Sequence, residues 1–108
     1  MSIVHATTSQ DLEQHFKTDK LVLLNFWAQW CGPCKMFGMV LEQLDKELSS
    51  KVKIVKIDVD KSPELAADFG VLGIPHSRLI INNKLQEPIV GFISLENLKE
   101  LIGFRTSN

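Results

Sequence analysis

Residues 26–35 read FWAQWCGPCK, and this stretch decides the fold and most of the chemistry. Its two cysteines, Cys31 and Cys34, are spaced i, i+3. At a helix start this spacing puts both sulfurs on one side of the first turn, with Cα atoms within the roughly 4.4–6.8 Å that a disulfide needs. The ring so closed is small, so the bond adds little chain-entropy stabilisation. The pair is therefore expected to carry reversible dithiol–disulfide chemistry.

The position of each cysteine in the turn divides their roles. Cys31 is predicted at the helix N-terminus, where unpaired N–H groups and the positive end of the helix dipole favour a thiolate. Because a thiolate is the attacking species in disulfide exchange, we expect Cys31 to be the exposed nucleophile. Cys34 lies one turn inside and is expected to be more buried, as the resolving cysteine. Gly32 lets another backbone approach closely, and Pro33 fits the first helical turn because its missing N–H would be unpaired there.

Two tryptophans, Trp27 and Trp30, flank the cysteines with apolar surface. They could shield the thiols and offer a docking face, or they could simply pack in the core. A C-x-x-C pair also forms half of many zinc sites, but zinc would need two more ligands. The chain has no third cysteine, and its three histidines are scattered along the sequence. No metal site is therefore predicted.

Strands and helices alternate along the rest of the chain. The apolar run of residues 21–27 predicts a strand that is buried on both faces, and Ser94 is expected to cap the last helix. The order β-α-β-α-β-α-β-β-α predicts an α/β fold, with a central mixed sheet of parallel strands plus antiparallel edge strands and helices on both faces. Strands are predicted at residues 3–5, 21–27, 52–59, 77–81 and 87–92, and helices after residues 7–9, over 33–48, over 62–69 with Ser62 as N-cap, and after 94.

Composition restricts the function further. The 108 residues fit a single domain spanning 1–108. Twelve basic and thirteen acidic residues give a net charge of -1, which argues against nucleic acid or an anionic membrane as the main partner. The first residues lack a basic segment followed by an apolar one, so no signal peptide is predicted. A cytoplasmic location is expected, where a close cysteine pair is catalytic more often than structural.

Residues 26–35 strongly resemble the active-site signature of the thioredoxin family, and residues 73–75 (GIP) resemble its second landmark. Lys56 and Gly91 also match in type and spacing, so the resemblance covers about residues 3–103. It implies a thioredoxin fold in which Pro75 is cis and faces the cysteine pair. It further implies that Ile74 presents its backbone to an extended substrate segment. Without the cysteine motif, residues 73–75 could be only a turn.

The resemblance also implies an activity and a set of site residues. The chain is expected to be a protein-disulfide reductase that binds no cofactor. A flavoprotein thioredoxin reductase would re-reduce it with electrons from NADPH. Disulfide-containing client proteins would be its other partners, and the chain is expected to be a monomer. The substrate-binding residues are then Trp30, Gly73, Ile74, Pro75 and Gly91, and the supporting residues are Gly32, Pro33, Asn25, Lys56, Trp27 and Pro75.

The most consequential departure from the family is Asn25, because thioredoxins usually carry a buried aspartate there. That aspartate is read as a general base for the resolving thiol, and Lys56 matches the lysine that partners it. Asparagine cannot accept a proton near neutral pH. Asn25 could be only a hydrogen-bonded core amide. Alternatively, the loss of the carboxylate favours a Cys34 thiolate, which stabilises the reduced form and makes the couple more oxidising.

Three further positions differ from the family pattern. His76 replaces the usual threonine and is interpreted as a core histidine rather than a titrating group near the thiols, because strand residues alternate faces. Met39 replaces the proline that kinks the active-site helix, so a straighter helix is expected. Residues 82–84 (NNK) lack the hairpin glycine, although asparagine tolerates the left-handed conformation.

Two other functions stay open at this point. The altered core favours a thiol oxidase or isomerase if it makes the couple oxidising. A binding module is the other alternative, with the hydrophobic surface around Trp30, Ile74 and Phe92 as a subunit or chaperone surface and redox chemistry incidental.

Overall fold

The predicted alternation of strands and helices is confirmed over residues 3–107, which are the residues that the computed structural model describes. The predicted and observed bounds agree to within a residue or two, except in the last hairpin. The strands are β1 (Ile3–His5), β2 (Leu21–Trp27), β3 (Val52–Asp58), β4 (His76–Ile81), β5 (Lys84–Leu85) and β6 (Ile89–Val90). The helices are α1 (Ser9–His15), α2 (Gly32–Leu48), α3 (Pro63–Asp68) and α4 (Leu95–Thr106).

The strands form one mixed sheet in the order β1-β3-β2-β4-β5, with β6 also paired to β4. β1 and β2 run parallel to β3, and β4 runs antiparallel to β2. The prediction of a mixed sheet is therefore confirmed. At the centre, Asn25 lies in register with Lys56 on one side and Ser77 on the other. Opposed residues share a face of a sheet, so these three polar residues form one row.

Helices cover both faces of this sheet, as predicted. On one face, Phe37 and Leu41 of α2 and Leu98 of α4 pack with Leu23 and Ile54 of the sheet. On the other face, a second buried cluster joins α1 and α3 to the sheet through Leu12, Val22, Leu24, Phe26, Val55, Ile57 and Leu65. Full burial of such side chains stabilises the fold by about 1.5–3 kcal/mol each. Since Asn25 alternates with Phe26 along β2, its row lies on the α2 face.

Side chains satisfy the first N–H groups of two helices. Thr8 accepts a hydrogen bond from the backbone N–H of Asp11 at 3.1 Å, at the start of α1. Ser94 accepts one from Asn97 at 3.2 Å, at the start of α4, as predicted. Ser62 stands at the N-cap position of α3 but makes no capping bond. Its hydroxyl instead donates to the carbonyl oxygen of Thr7 at 2.8 Å, so it ties α3 to the segment before α1.

The last hairpin differs from the prediction of a continuous strand over residues 87–92. Its second arm is two short strands, β5 and β6, separated by residues 86–88. Pro88 has no N–H to give to a sheet ladder, which explains the interruption. The turn itself forms as expected, because Asn82 and Asn83 both adopt positive φ, at 53° and 64°, which asparagine tolerates. β4 begins at His76, one residue earlier than predicted.

Candidate active site

The redox pair lies at the start of α2, shortly after the end of β2. Cys31 is the N-cap residue, and its carbonyl oxygen accepts a hydrogen bond from Lys35 at 3.2 Å. Cys31 and Cys34 form a disulfide with their Cα atoms 5.2 Å apart. Pro33 occupies the first turn of the helix. Geometry therefore allows the bond to form and break without moving α2.

The backbone of α2 is aimed at the first sulfur. The N–H of Cys34 donates to Sγ of Cys31 at 3.2 Å. This N–H is one of the unpaired donors of the helix N-terminus, where a negative charge is stabilised. A thiolate on Cys31 would accept the same hydrogen bond, and a charged acceptor strengthens it. The local structure thus lowers the free energy of the anion needed for attack.

The expected exposure of Cys31 is wrong for the disulfide form. Cys31 is only 5% exposed and Cys34 is 2% exposed, although their order agrees with the prediction. Both pack with Ala28 and Ile74 in a small apolar cluster. The carbonyl oxygen of Ile74 lies 3.9 Å from Sγ of Cys31, so the backbone just before Pro75 partly covers the sulfur.

The second landmark lies beside the disulfide. The peptide bond between Ile74 and Pro75 is cis, as the family resemblance implied. The carbonyl oxygen of Pro75 accepts a hydrogen bond from the N–H of Gly91 at 2.7 Å. Gly91 has φ of 90°, a conformation that glycine adopts without strain. Ile74 packs against both cysteines, and the hydrogen bond to Pro75 ties Gly91 to the same segment; the substrate-binding role of these residues stays a prediction.

The two tryptophans have different surroundings. Trp30 is 70% exposed, and its Nε1–H donates to a carboxylate oxygen of Asp60 at 2.8 Å. Trp27 is half-buried, packs edge-on against the ring of His5, and has its Nε1 buried without a hydrogen-bond partner among residues 3–107. Core packing therefore explains Trp27 better, and Trp30 is the tryptophan that is free to contact a partner protein.

Polar groups behind the disulfide are arranged around Asn25. Asn25 is 1% exposed, and its amide Nδ2 donates to the hydroxyl of Ser77 at 3.3 Å. Its side chain is thus a hydrogen-bonded core amide, as one of the two interpretations held. Lys56 places its Nζ 4.7 Å from the centre of the Trp27 ring. Burial lowers the pKa of Lys56, and the nearby Glu42 partly offsets this.

His76 lies on the other face of the sheet. It is 4% exposed and meets the ring of Phe26 edge-on, with centroids 5.7 Å apart. Its Nε2 has no hydrogen-bond partner within residues 3–107. Burial and, secondarily, Arg78 lower the pKa of His76. The interpretation of His76 as a core histidine is therefore confirmed.

The surface around the pair is apolar. Leu72 is fully exposed, and Val90 at the end of β6 and Phe92 just after it are 66% and 46% exposed. Phe92 also contacts Phe37 edge-on. Within the described residues, 3–107, no group of three or more histidine, cysteine or acidic side chains could hold a metal ion. No helix among these residues is long and apolar enough to cross a membrane.

Several of these contacts join residues that are far apart in the chain and could not be predicted from the sequence. Ser77 accepts a hydrogen bond from Asn25 and lies 52 residues from it along the chain. Asp60 accepts one from Trp30 and lies 30 residues from it. The one available signal for Ser77 was its polarity within an otherwise apolar strand. Leu72 carried no signal, since a leucine in a loop is ordinarily taken for a packed residue.

A mixed sheet with helices on both faces and a dithiol pair at a helix start defines the class of thiol–disulfide oxidoreductases. The thioredoxin family model matches residues 3–103, and the chain belongs to this family. It is 46% identical over 105 residues to thioredoxin of Bacillus subtilis (strain 168), a match that covers 94% of this chain and 96% of that protein. It is 41% identical over 100 residues to thioredoxin of Listeria monocytogenes, covering 93% and 96%.

A solved structure agrees with the sequence relatives. The fold matches that of a mutant thioredoxin from Halobacterium salinarum NRC-1 with a TM-score of 0.88, at 32% identity, covering 99% of this chain and 93% of that one. The chain is a thiol–disulfide oxidoreductase with protein-disulfide reductase activity. Its redox centre is the Cys31–Cys34 pair.

Proposed function

We propose that Cys31 attacks protein disulfides, that Cys34 resolves the product, and that thioredoxin reductase returns the electrons from NADPH. The observation that carries the assignment of roles is the hydrogen bond from the Cys34 N–H to Sγ of Cys31. The first sulfur thus has the donor that stabilises a thiolate. Cys34 is the more buried of the two, as suits a group that acts only on a bound adduct.

Two exchanges make up the reaction. The Cys31 thiolate attacks one sulfur of a client disulfide, so that a mixed disulfide forms and the other client sulfur leaves as a thiolate. The Cys34 thiolate then attacks Sγ of Cys31, closing the internal disulfide and releasing the second client thiolate. Each client thiolate takes up a proton from water. Two electrons have passed from the chain to the client.

The client is proposed to dock on the apolar surface around the disulfide. Trp30, Gly91 and residues 73–75 are the proposed docking residues, supported by the exposure of Trp30 and by the contact of Ile74 with the pair. Among residues 3–107, no atom lies within 4 Å of where a Cβ on Gly73 or Gly91 would stand, apart from their chain neighbours, so an extended client segment has room beside Ile74. Supporting roles fall to Gly32 and Pro33 in the turn, with Asn25, Lys56, Trp27 and Pro75 behind it.

Reduction of insulin tests this function. The parent chain should reduce insulin with dithiothreitol as donor and, more efficiently, with thioredoxin reductase and NADPH. Activity with dithiothreitol alone would mean another electron donor. Activity with neither would favour a binding module. The chain is further proposed to act as a monomer in the cytoplasm, since a reductase needs a compartment in which thiols are kept reduced.

A more oxidising role is the second candidate, and Asn25 is the observation that favours it. A neutral amide bonded to Ser77 puts no negative charge against a Cys34 thiolate. The reduced form is then stabilised relative to a chain with a carboxylate there, which raises the reduction potential. Equilibration with glutathione measures this potential directly. A value in the range of known thiol oxidases would support oxidase or isomerase activity, and a thioredoxin-like value would exclude it.

A further inference from the structure

A cleft of about 360 Å³ opens beside Lys56 on the face of the sheet that α2 covers. Its walls come from β1, β3 and the middle of α2, and Gly38 and Glu42 line it from the helix. The cleft is on the side of the sheet that carries Asn25, beside the helix that begins at the redox pair. The cleft therefore brings solvent close to Lys56, the lysine of that row.

Gly38 is the residue of α2 that stands over this lysine. It follows Cys34 by four residues, so both lie on the same face of the helix, one turn apart. A Cβ on Gly38 would stand 3.5 Å from Nζ of Lys56. The ammonium group thus lies against the helix one turn from the resolving cysteine. Glycine is a poor helix former compared with alanine, so helix formation alone gives no reason for Gly38.

Lys56 is a half-buried cation beside a neutral neighbour. Its partners in register are Asn25 on β2 and His5 on β1, and no ion pair of Lys56 occurs within residues 3–107. Nζ of Lys56 lies 4.7 Å from the centre of the Trp27 ring, and the lysine lines the open cleft. Burial lowers its pKa, while Glu42 acts in the opposite direction. Glu42 therefore favours the protonated form of this amine, against the effect of burial.

We propose that Gly38 is a positioning residue that keeps the cleft open to water over Lys56, so that a hydrated ammonium rather than a lysine–carboxylate pair lies behind Cys34. The inference rests on the proposed roles of the two cysteines. An ammonium near Cys34 stabilises its thiolate. The proton that Cys34 gives up before it attacks Sγ of Cys31 passes to solvent, and no side-chain base is required.

Other charged groups surround this amine and must be considered with it. Besides Glu42, helix α2 contributes one acidic and one basic side chain to the surroundings of Lys56. Strands β1 and β3 and the loop after β3 contribute one titratable side chain each. Asp45 has an interaction of its own. Glu42 is the one whose charge acts on the pKa of Lys56. A second cleft adjoins the first, because His5 and Lys56 line both of them. The titratable side chains that line the two clefts with Lys56 are His5, Glu42, Asp45, Lys46, Asp58 and Lys61.

Gly38→Ala tests the proposal, with Gly103→Ala as the matched control. Both replace a helical glycine, but Gly103 lies in α4 with nothing within 4 Å of its Cβ position. The control therefore shares the gain in helix propensity and leaves Lys56 untouched. The added methyl at Gly38 fits at an ordinary contact distance and displaces water from the ammonium.

Two readouts separate a tuning role from a structural one. Side-chain NMR titration should show the pKa of Lys56 lowered further in Gly38→Ala, by about half a unit. With an excess of the chromogenic disulfide dithiobis(nitrobenzoate), the first thiolate release reports attack by Cys31 and the second reports resolution by Cys34. At pH values above the pKa of Lys56, the second phase should slow about threefold, while the first phase changes less than twofold. Gly103→Ala should match the parent in all three measurements.

An unchanged Lys56 titration and second phase in Gly38→Ala would overturn the proposal, as would equal effects in Gly103→Ala. Glu42→Gln is a second variant, expected to lower the pKa of Lys56 as Gly38→Ala does, because it removes a charge that favours the ammonium. An unshifted pKa of Lys56 in Glu42→Gln would also count against the proposal. If the parent reduces insulin and these variants behave like it, only this inference fails. If the parent does not reduce insulin, the proposed function fails first.

Discussion

The neutral core behind the disulfide leads to one prediction that can be worked through in detail, the Asn25→Asp variant. The amide is 1% exposed and bonded to Ser77. A carboxyl of nearly the same shape fits the site, so the variant changes charge more than packing. It also restores the residue that the family usually carries, opposite Lys56 in the sheet register.

The first effect of this change is on the reduction potential, and its magnitude can be estimated. Two unit charges about 7 Å apart interact by about 2.4 kcal/mol at an effective dielectric constant of about 20. If the new carboxylate opposes a full Cys34 thiolate at that distance, the reduced form loses this amount. For a two-electron couple, about 1.4 kcal/mol corresponds to 30 mV. The reduction potential should therefore fall by up to about 50 mV.

Stability should change with pH in the same variant. Burial raises the pKa of a carboxyl group, so its folded-state value lies above the unfolded one. The folded chain then keeps its stability at low pH and loses it as pH rises through the folded value. Urea denaturation should show parent and variant alike near pH 4, with the variant less stable at pH 8. Lys56 reduces this difference without abolishing it.

The assay is equilibration of each protein with glutathione buffers, with the fraction oxidised read by mass spectrometry after acid quenching. The pH series supplies the internal control, since the potentials of the two proteins should converge where the new carboxyl is protonated. An equal or higher potential in Asn25→Asp at pH 8 would refute the argument. So would a difference that persists unchanged at low pH.

Three other predictions concern docking, pH and capping. Trp30→Ala should raise the KM for insulin roughly fivefold or more with little change in kcat, whereas Phe104→Ala, which removes a similarly exposed aromatic on α4, should leave KM unchanged. An equal rise in both variants would contradict the docking surface. Because burial lowers the pKa of His76, the unfolded chain takes up a proton first as pH falls below about 6.5. His76→Thr should therefore reduce the loss of stability between pH 7 and 5, by at most about 1.4 kcal/mol per pH unit, and an unchanged slope in urea denaturation would speak against this. Ser94→Ala removes the acceptor for the Asn97 N–H and should lower the free energy of unfolding by about 1 kcal/mol; no loss would mean that water replaces the cap.

Much of the fold could be predicted because its signals are local. The uninterrupted apolar run of residues 21–27 predicted the central strand, and residues 33–48 predicted α2 almost to the residue. The last hairpin was predicted less well, since Pro88 breaks a strand whose apolar pattern looks continuous. Here a missing backbone donor outweighed hydrophobic periodicity.

The site divides in the same way. The spacing of the cysteines predicted their pairing at the helix start. The burial of Cys31 could not be predicted, because Ile74, which covers its sulfur, is 43 residues away in the chain. The partners of Asn25 and Trp30 are likewise supplied by the tertiary fold. The meaning of Gly38 also depends on tertiary structure, since only the packing of α2 on β3 brings it next to Lys56.

The roles of the two cysteines are tested most directly by trapping the mixed disulfide. Cys34→Ser keeps the attacking thiol and removes the resolving one, so mass spectrometry should find a stable adduct of one client molecule on Cys31. The matched variant Cys31→Ser should form little or no such adduct under the same conditions. Accumulation of the adduct in Cys31→Ser instead, or equal adducts in both variants, would contradict the assignment of Cys31 as nucleophile and Cys34 as resolving cysteine.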